Sequence, residues 1–167
     1  MEQCTFRLRV EPAMKQFLLY HYGPEPIRFL PQSMENTIIR QFIGKKPKDA
    51  VEDNDGLLVT VPYCSYKSPK VYNYMGTRGR SALRSCIEDN FKRCMWTELF
   101  KLLDKGIDRD GNRLSLLGAI ERWCRNHGID PNEHDLTIRQ RFYRIRNAYA
   151  SKGISMHKIE RTRQNKG

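Results

Sequence analysis

The chain has 167 residues, 39% of them apolar, with 30 Lys and Arg against 19 Asp and Glu, a formal charge of +11. That length holds one compact domain, or a small body with a helical appendage, and excludes a large multidomain enzyme. No run of about 18 apolar residues occurs, and the start of the chain, with Glu2, lacks a basic segment leading into an apolar stretch, so the expectation is a cytoplasmic protein that neither spans a membrane nor is exported.

Cys4 to Val10 alternates apolar with polar residues, the period-two pattern of a strand with one buried face. Glu11-Pro12 opens a predicted helix from Ala13 to Tyr22, with Met14, Phe17, Leu18 and His21 on one side and Gly23 as its stop. Pro24, Pro26 and Pro31 leave Ile27 to Leu30 as a short extended piece at most. Ser33, or Gln32 just before it, then caps a predicted helix bearing Ile38, Ile39 and Phe42, and Lys45 to Gly56 reads as a polar surface loop.

Leu57 to Tyr63 and Val71 to Met75 are rich in β-branched and aromatic residues, which predicts a hairpin with a long tip. A glycine-bearing turn, Gly76 to Arg80, precedes Ser81, which caps a predicted long helix near 82–104 with an apolar stripe through Leu83, Ile87, Phe91, Met95 and Leu99. Two further helices are predicted, Leu114 to His127 and Leu136 to Ala150. Their joint, Gly128 to Asp135, is longer than the three or four residues of a compact helix-turn-helix. Asp130 and Asp135 are both candidate caps for the last helix, with Asp135 the better placed. The expected fold is therefore α+β: a small mixed sheet with helices over residues 1–110, followed by a helix-turn-helix-like helical module over 111–167.

Charge is distributed unevenly along this plan. From Leu136 to Gly167 nine basic residues (Arg139, Arg141, Arg144, Arg146, Lys152, Lys158, Arg161, Arg163 and Lys166) face one acid, Glu160, for a net +8, and the rest of the chain holds only +3. Such asymmetry marks one end as a contact surface for phosphates. In the last helix the apolar stripe is Ile138, Phe142, Ile145 and Tyr149, which puts Gln140, Tyr143, Arg144 and Asn147 opposite, flanked by Arg139, Arg141 and Arg146. Gln and Asn pair with adenine and Arg with guanine, and flanking Arg holds phosphate, so these are the side chains a major-groove helix needs. Arg78 and Arg80, in the turn before the long helix, form a second candidate phosphate contact.

Catalytic signatures are missing: there is no G-x-S-x-G, no H-E-x-x-H and no dinucleotide fingerprint. Glu88, Asp89 and Glu98 are too scattered in direction to favour a metal-dependent nuclease. Cys124, His127 and His134 have ligand chemistry, but the first two fall on a buried helix face, so core packing is expected of them. The five cysteines contain no C-x-x-C pair, which predicts reduced thiols and no disulfide framework. The expectation is a non-enzymatic DNA-binding protein, a transcriptional regulator or accessory factor, with no metal or cofactor and with duplex DNA as its partner. Two alternatives stand beside it. One is an RNA-binding protein stacking bases on Tyr63, Tyr66, Tyr72 and Tyr74. The other is an assembly protein that homodimerises through the stripe of the long helix.

Overall fold

The computed structural model describes residues 4–153. Among them are β1 (Thr5–Leu8), α1 (Pro12–Tyr22), α2 (Met34–Phe42), β2 (Ile43–Lys45), β3 (Leu57–Thr60), β4 (Tyr72–Met75), α3 (Thr77–Lys105), α4 (Leu116–Asn126) and α5 (Pro131–Ser151). The fold is α+β with helices at its C-terminal end, and no helix among the described residues is long and apolar enough to cross a membrane.

The strands do not form the predicted hairpin. β1 pairs antiparallel with β3, and β2 pairs antiparallel with β4, giving two separate two-stranded sheets. In the β1–β3 pair Phe6 lies opposite Val59 and Leu8 opposite Leu57, all four buried. Ile27 N–H donates to the Leu58 carbonyl and Thr60 N–H to the Ile27 carbonyl, both at 2.9 Å, so the extended piece between the prolines occupies the free edge of β3. With both edges of β3 taken, β4 pairs instead with β2, a three-residue strand that follows α2 directly and overlaps the predicted surface loop only at Lys45.

α2 begins at the predicted cap, where Ser33 Oγ accepts the Asn36 N–H at 3.2 Å. Its far end is closed from outside: Lys67 Nζ donates to the Arg40 and Ile43 carbonyls, each at 3.0 Å, supplying positive charge where the helix leaves carbonyls without partners. The Gly76–Arg80 turn is also different from the expectation. α3 starts at Thr77, so Gly79 is inside its first turn, and a Cβ there would stand 2.6 Å from Phe42 Cβ and against Met75 Sδ. The glycine serves close packing rather than a phosphate-cradling loop.

Two compact units divide the described residues: 4–93 with Asn126–Ile129, and Cys94–Arg125 with 130–153. The division falls inside α3, a continuous 29-residue helix, rather than near residue 110. In the first unit the core is built from β1, β3, Ile27, Phe29, Met14, Leu18 and the first half of the α3 stripe. The segment 126–129 belongs to it: His127 Nδ1 lies 2.8 Å from His21 Nε2, and both rings pack at a tilt against Phe17. In the second unit Ala119, Ile120, Trp123 and Cys124 bury one face of α4, and Ile138 and Phe142 one face of α5. Leu83, Ile87, Phe91, Met95 and Leu99 are at most 3% exposed, so the stripe assigned to a dimer seam is consumed inside the folded chain.

Candidate nucleic-acid interface

α5 begins five residues earlier than its sequence pattern indicates. Asp130 Oδ1, not Asp135, caps it by accepting the Asn132 N–H at 2.9 Å, and Pro131 takes the first helical position, where its missing N–H costs nothing. Only residues 127–130 then separate α4 from α5, four residues with Gly128 at φ +68°. This is the length and the left-handed glycine of a compact helix-turn-helix joint.

The orientation of α5 is set by one aromatic anchor that the sequence reading passes over. Trp96, on α3, places its ring 5.2 Å from Phe142 and 5.4 Å from Tyr149, the latter nearly parallel at 22°. Ile138 is fully buried and Phe142 5% exposed, so the first half of the predicted stripe faces inward, whereas Ile145 is half-buried and Tyr149 is 37% exposed with its ring stacked on Trp96. Gln140, Arg144 and Asn147, at steps of four and three, are then all exposed on one side of the helix. Arg139, Arg141, Tyr143 and Arg146 are half-buried flanks, and Lys152, just past the helix end, is exposed.

The flanks are partly engaged within the chain. The Arg146 guanidinium lies over the Tyr143 ring, 4.6 Å from its centroid, and Tyr143 meets Phe142 edge-on at 6.1 Å. Arg141 also has an interaction within the chain. Among the described residues no side chain hydrogen-bonds to or pairs with Arg139 or Arg144, and an arginine without a carboxylate keeps its full charge for an external anion. From Arg139 to Lys152 the basic stretch runs about 20 Å along the surface at 1.5 Å per residue. Lys158, Arg161, Arg163 and Lys166, with Glu160, lie outside the described residues.

Charge polarity along α5 distinguishes it from a standard recognition helix. Glu133 and Asp135 occupy its first turns, where they complement the positive helix end, and all four arginines lie beyond them. In the common motif the N-terminal residues of the second helix meet base edges. Here that end is acidic, so any phosphate-facing part is the middle and C-terminal part.

The second predicted contact is divided. Arg78 is exposed on the first turn of α3, whereas Arg80 is held: its Nε donates to the Met75 carbonyl at 2.8 Å and its Nη1 lies 3.3 Å from Asp53. Of the residues with ligand chemistry, Cys124 is fully buried, and its thiol is pushed up to about 12, first by that burial and then by Asp135, Asp130 and Glu121. It therefore stays a packed, protonated side chain. Comparisons with protein-family models, curated proteins and solved structures find no match to this chain.

Proposed function

We propose that this chain is a non-enzymatic DNA-binding protein, a regulator or accessory factor, that lays the middle and C-terminal part of α5 against duplex DNA. The observation that carries this reading is the outward row of Gln140, Arg144 and Asn147 on a helix whose opposite side is locked by Trp96. A B-form major groove about 12 Å wide admits such a helix, and these three side chains have the hydrogen-bonding forks for adenine and guanine edges. Arg139, Arg141, Arg146 and Lys152 lie along the groove walls and contact phosphate. The four-residue joint before α5 supports a helix-turn-helix-like presentation.

A second reading is favoured by one observation: Tyr63 and Tyr66 are 79% and 74% exposed in the segment between β3 and β4. Exposed aromatic rings are stacking platforms for unpaired bases, which suits single-stranded RNA. Tyr72 and Tyr74, in β4, are half-buried and less available. Competition separates the two readings. A labelled duplex bound to the protein is displaced by unlabelled duplex at lower concentration than by a single strand of equal length; equal or stronger displacement by the single strand moves the assignment to RNA.

A further inference from the structure

The first unit contains a cavity of about 400 Å³ walled by β1, β4 and the segment after β2. Its lining holds three cationic residues, Arg7, Lys46 and Arg80, two carboxylates, Glu52 and Asp53, and the amides of Asn54 and Asn73, with Tyr74 and Leu58 beside them. Volumes of about 300 to 1,000 Å³ are those of small-ligand sites, in which a few convergent polar groups fix orientation and apolar groups supply contact.

The cations of this cavity differ in how they are satisfied. Arg80 is paired with Asp53 at 3.3 Å, and Asp53 also accepts from Arg9 at 3.0 Å. Lys46 is paired with Glu52. Arg7 is different: its Nη1 donates to the Gly56 carbonyl at 3.1 Å, and it makes no ion pair with any described residue. A half-buried guanidinium facing a cavity, with one donor committed to a neutral carbonyl and its charge unmatched, is an anion-recognition group.

Asp53 shows what kind of anion fits beside it. One carboxylate bridges two guanidinium groups, Arg9 and Arg80, as a phosphate does. The Arg9 guanidinium and the Asp55 N–H hold the Asp53 carboxyl below the usual carboxylate range, so it is ionised at neutral pH and acts as an internal competitor. Arg9 is 64% exposed, and ion pairs this open to water contribute little and exchange readily.

We propose that this cavity is a binding site for a phosphate monoester carrying a flat ring, a nucleoside monophosphate or the phosphorylated end of a single strand. The phosphate takes Arg7 and shares Arg80 with Asp53, and the ring lies on the Tyr74 wall. The cavity is too small for a duplex, and the site is independent of α5. A nucleotide site here therefore stands or falls separately from the DNA reading.

The test is isothermal titration of the full chain with adenosine monophosphate, with inorganic pyrophosphate and with a 5′-phosphorylated oligothymidine. Wild type binds adenosine monophosphate saturably. Arg7→Gln weakens it about tenfold or more, as loss of a charge-assisted hydrogen-bonding partner does. Asn73→Asp, which leaves the Arg7 to Gly56 bond in place and adds a negative charge to the cavity wall, weakens it too. Asp53→Asn strengthens it about threefold by removing the competing charge. Binding of the oligonucleotide at least as tight as that of the monophosphate assigns the site to a strand end; the reverse assigns it to the free nucleotide. Absence of saturable binding by both wild type and Asp53→Asn overturns the proposal, as does binding that neither Arg7→Gln nor Asn73→Asp weakens, or pyrophosphate binding as tight as that of the monophosphate. The Arg139, Arg141, Arg144 and Arg146 quadruple alanine variant keeps its monophosphate affinity, so failure of the DNA reading leaves this measurement intact.

Discussion

Trp96 and Tyr149 stack with their planes 22° apart and their centroids at 5.4 Å, tying the last turns of α5 to α3. Helix propensity alone does not hold the end of a terminal helix in place, since tertiary packing of an apolar face supplies most helical stability. The stack also determines which side of α5 faces water, because turning Tyr149 and Phe142 toward Trp96 turns Arg144 and Asn147 away from it. Trp96→Ala is expected to destabilise the protein by about 3 kcal/mol, at the low end of the range for truncating a packed aromatic because the indole is only half-buried. A urea titration followed by circular dichroism checks this, with Trp96→Phe losing less.

The cap at Asp130 gives a smaller and more local effect. Asp130→Ala removes the bond to the Asn132 N–H and is expected to cost about 1 kcal/mol, and Asp135→Ala is expected to leave the α5 cap intact. Comparing the midpoints of thermal unfolding of the two variants tests which aspartate starts the helix.

Gly128 is expected to be the least replaceable residue in the joint before α5. Its φ of +68° disfavours any L side chain, and a Cβ there would lie 2.5 Å from Tyr20 Cβ. Gly128→Ala is expected to cost about 2 kcal/mol or more, the left-handed strain and the clash acting together. Tyr20→Gly, which removes the Cβ that the new side chain meets, recovers part of that loss when combined with Gly128→Ala, and a double-mutant cycle in urea measures the recovery.

Two thiols make stability fall at alkaline pH. Cys94 is pushed up to about 11, first by burial and then by the Glu98 charge, and Cys124 to about 12, first by burial and then by Asp135. Both are protonated in the folded chain while the unfolded chain ionises near 8.5, so the unfolded state binds fewer protons above that pH. The stabilisation is complete below about pH 8 and is lost as pH rises from there toward the folded values. Urea midpoints measured from pH 7 to 10 are expected to decline above about 8.5, and iodoacetamide at pH 8 is expected to modify Cys124 only on unfolding.

Periodicity made the helices legible and left the strand pairing hidden. The inward face of Ile138 and Phe142 and the cap at Ser33 follow from spacing and residue type, whereas Tyr149, at the end of the same predicted stripe, is exposed. β-branched and aromatic content marks β3 and β4 as strands but carries no information about the partner strand; the partner was decided by Ile27 and β1 occupying the two edges of β3. Glycine misled in one place: Gly79 looks like a turn residue and is a packing residue, because its neighbour Phe42 is distant in sequence. The start of α5 was readable, since Asp130-Pro131 is a cap followed by a proline at the first helical position, but the polar run through Asp135 resembles a loop. Trp96 and the unpaired charge of Arg7 gave no local signal, as their roles depend on partners brought together by folding.

The most direct measurement is duplex DNA binding by fluorescence anisotropy across a salt series, comparing wild type with the Arg139, Arg141, Arg144 and Arg146 quadruple alanine variant. Each phosphate contact contributes a slope of about −0.9 to log affinity against log salt, so the variant, which loses the phosphate contacts of Arg139, Arg141 and Arg146, is expected to lose affinity at low salt and to have a slope shallower by about 3. Equal affinity and equal slope for the two proteins, or no binding by wild type at low salt, contradicts the assignment of α5 as the DNA-contacting surface.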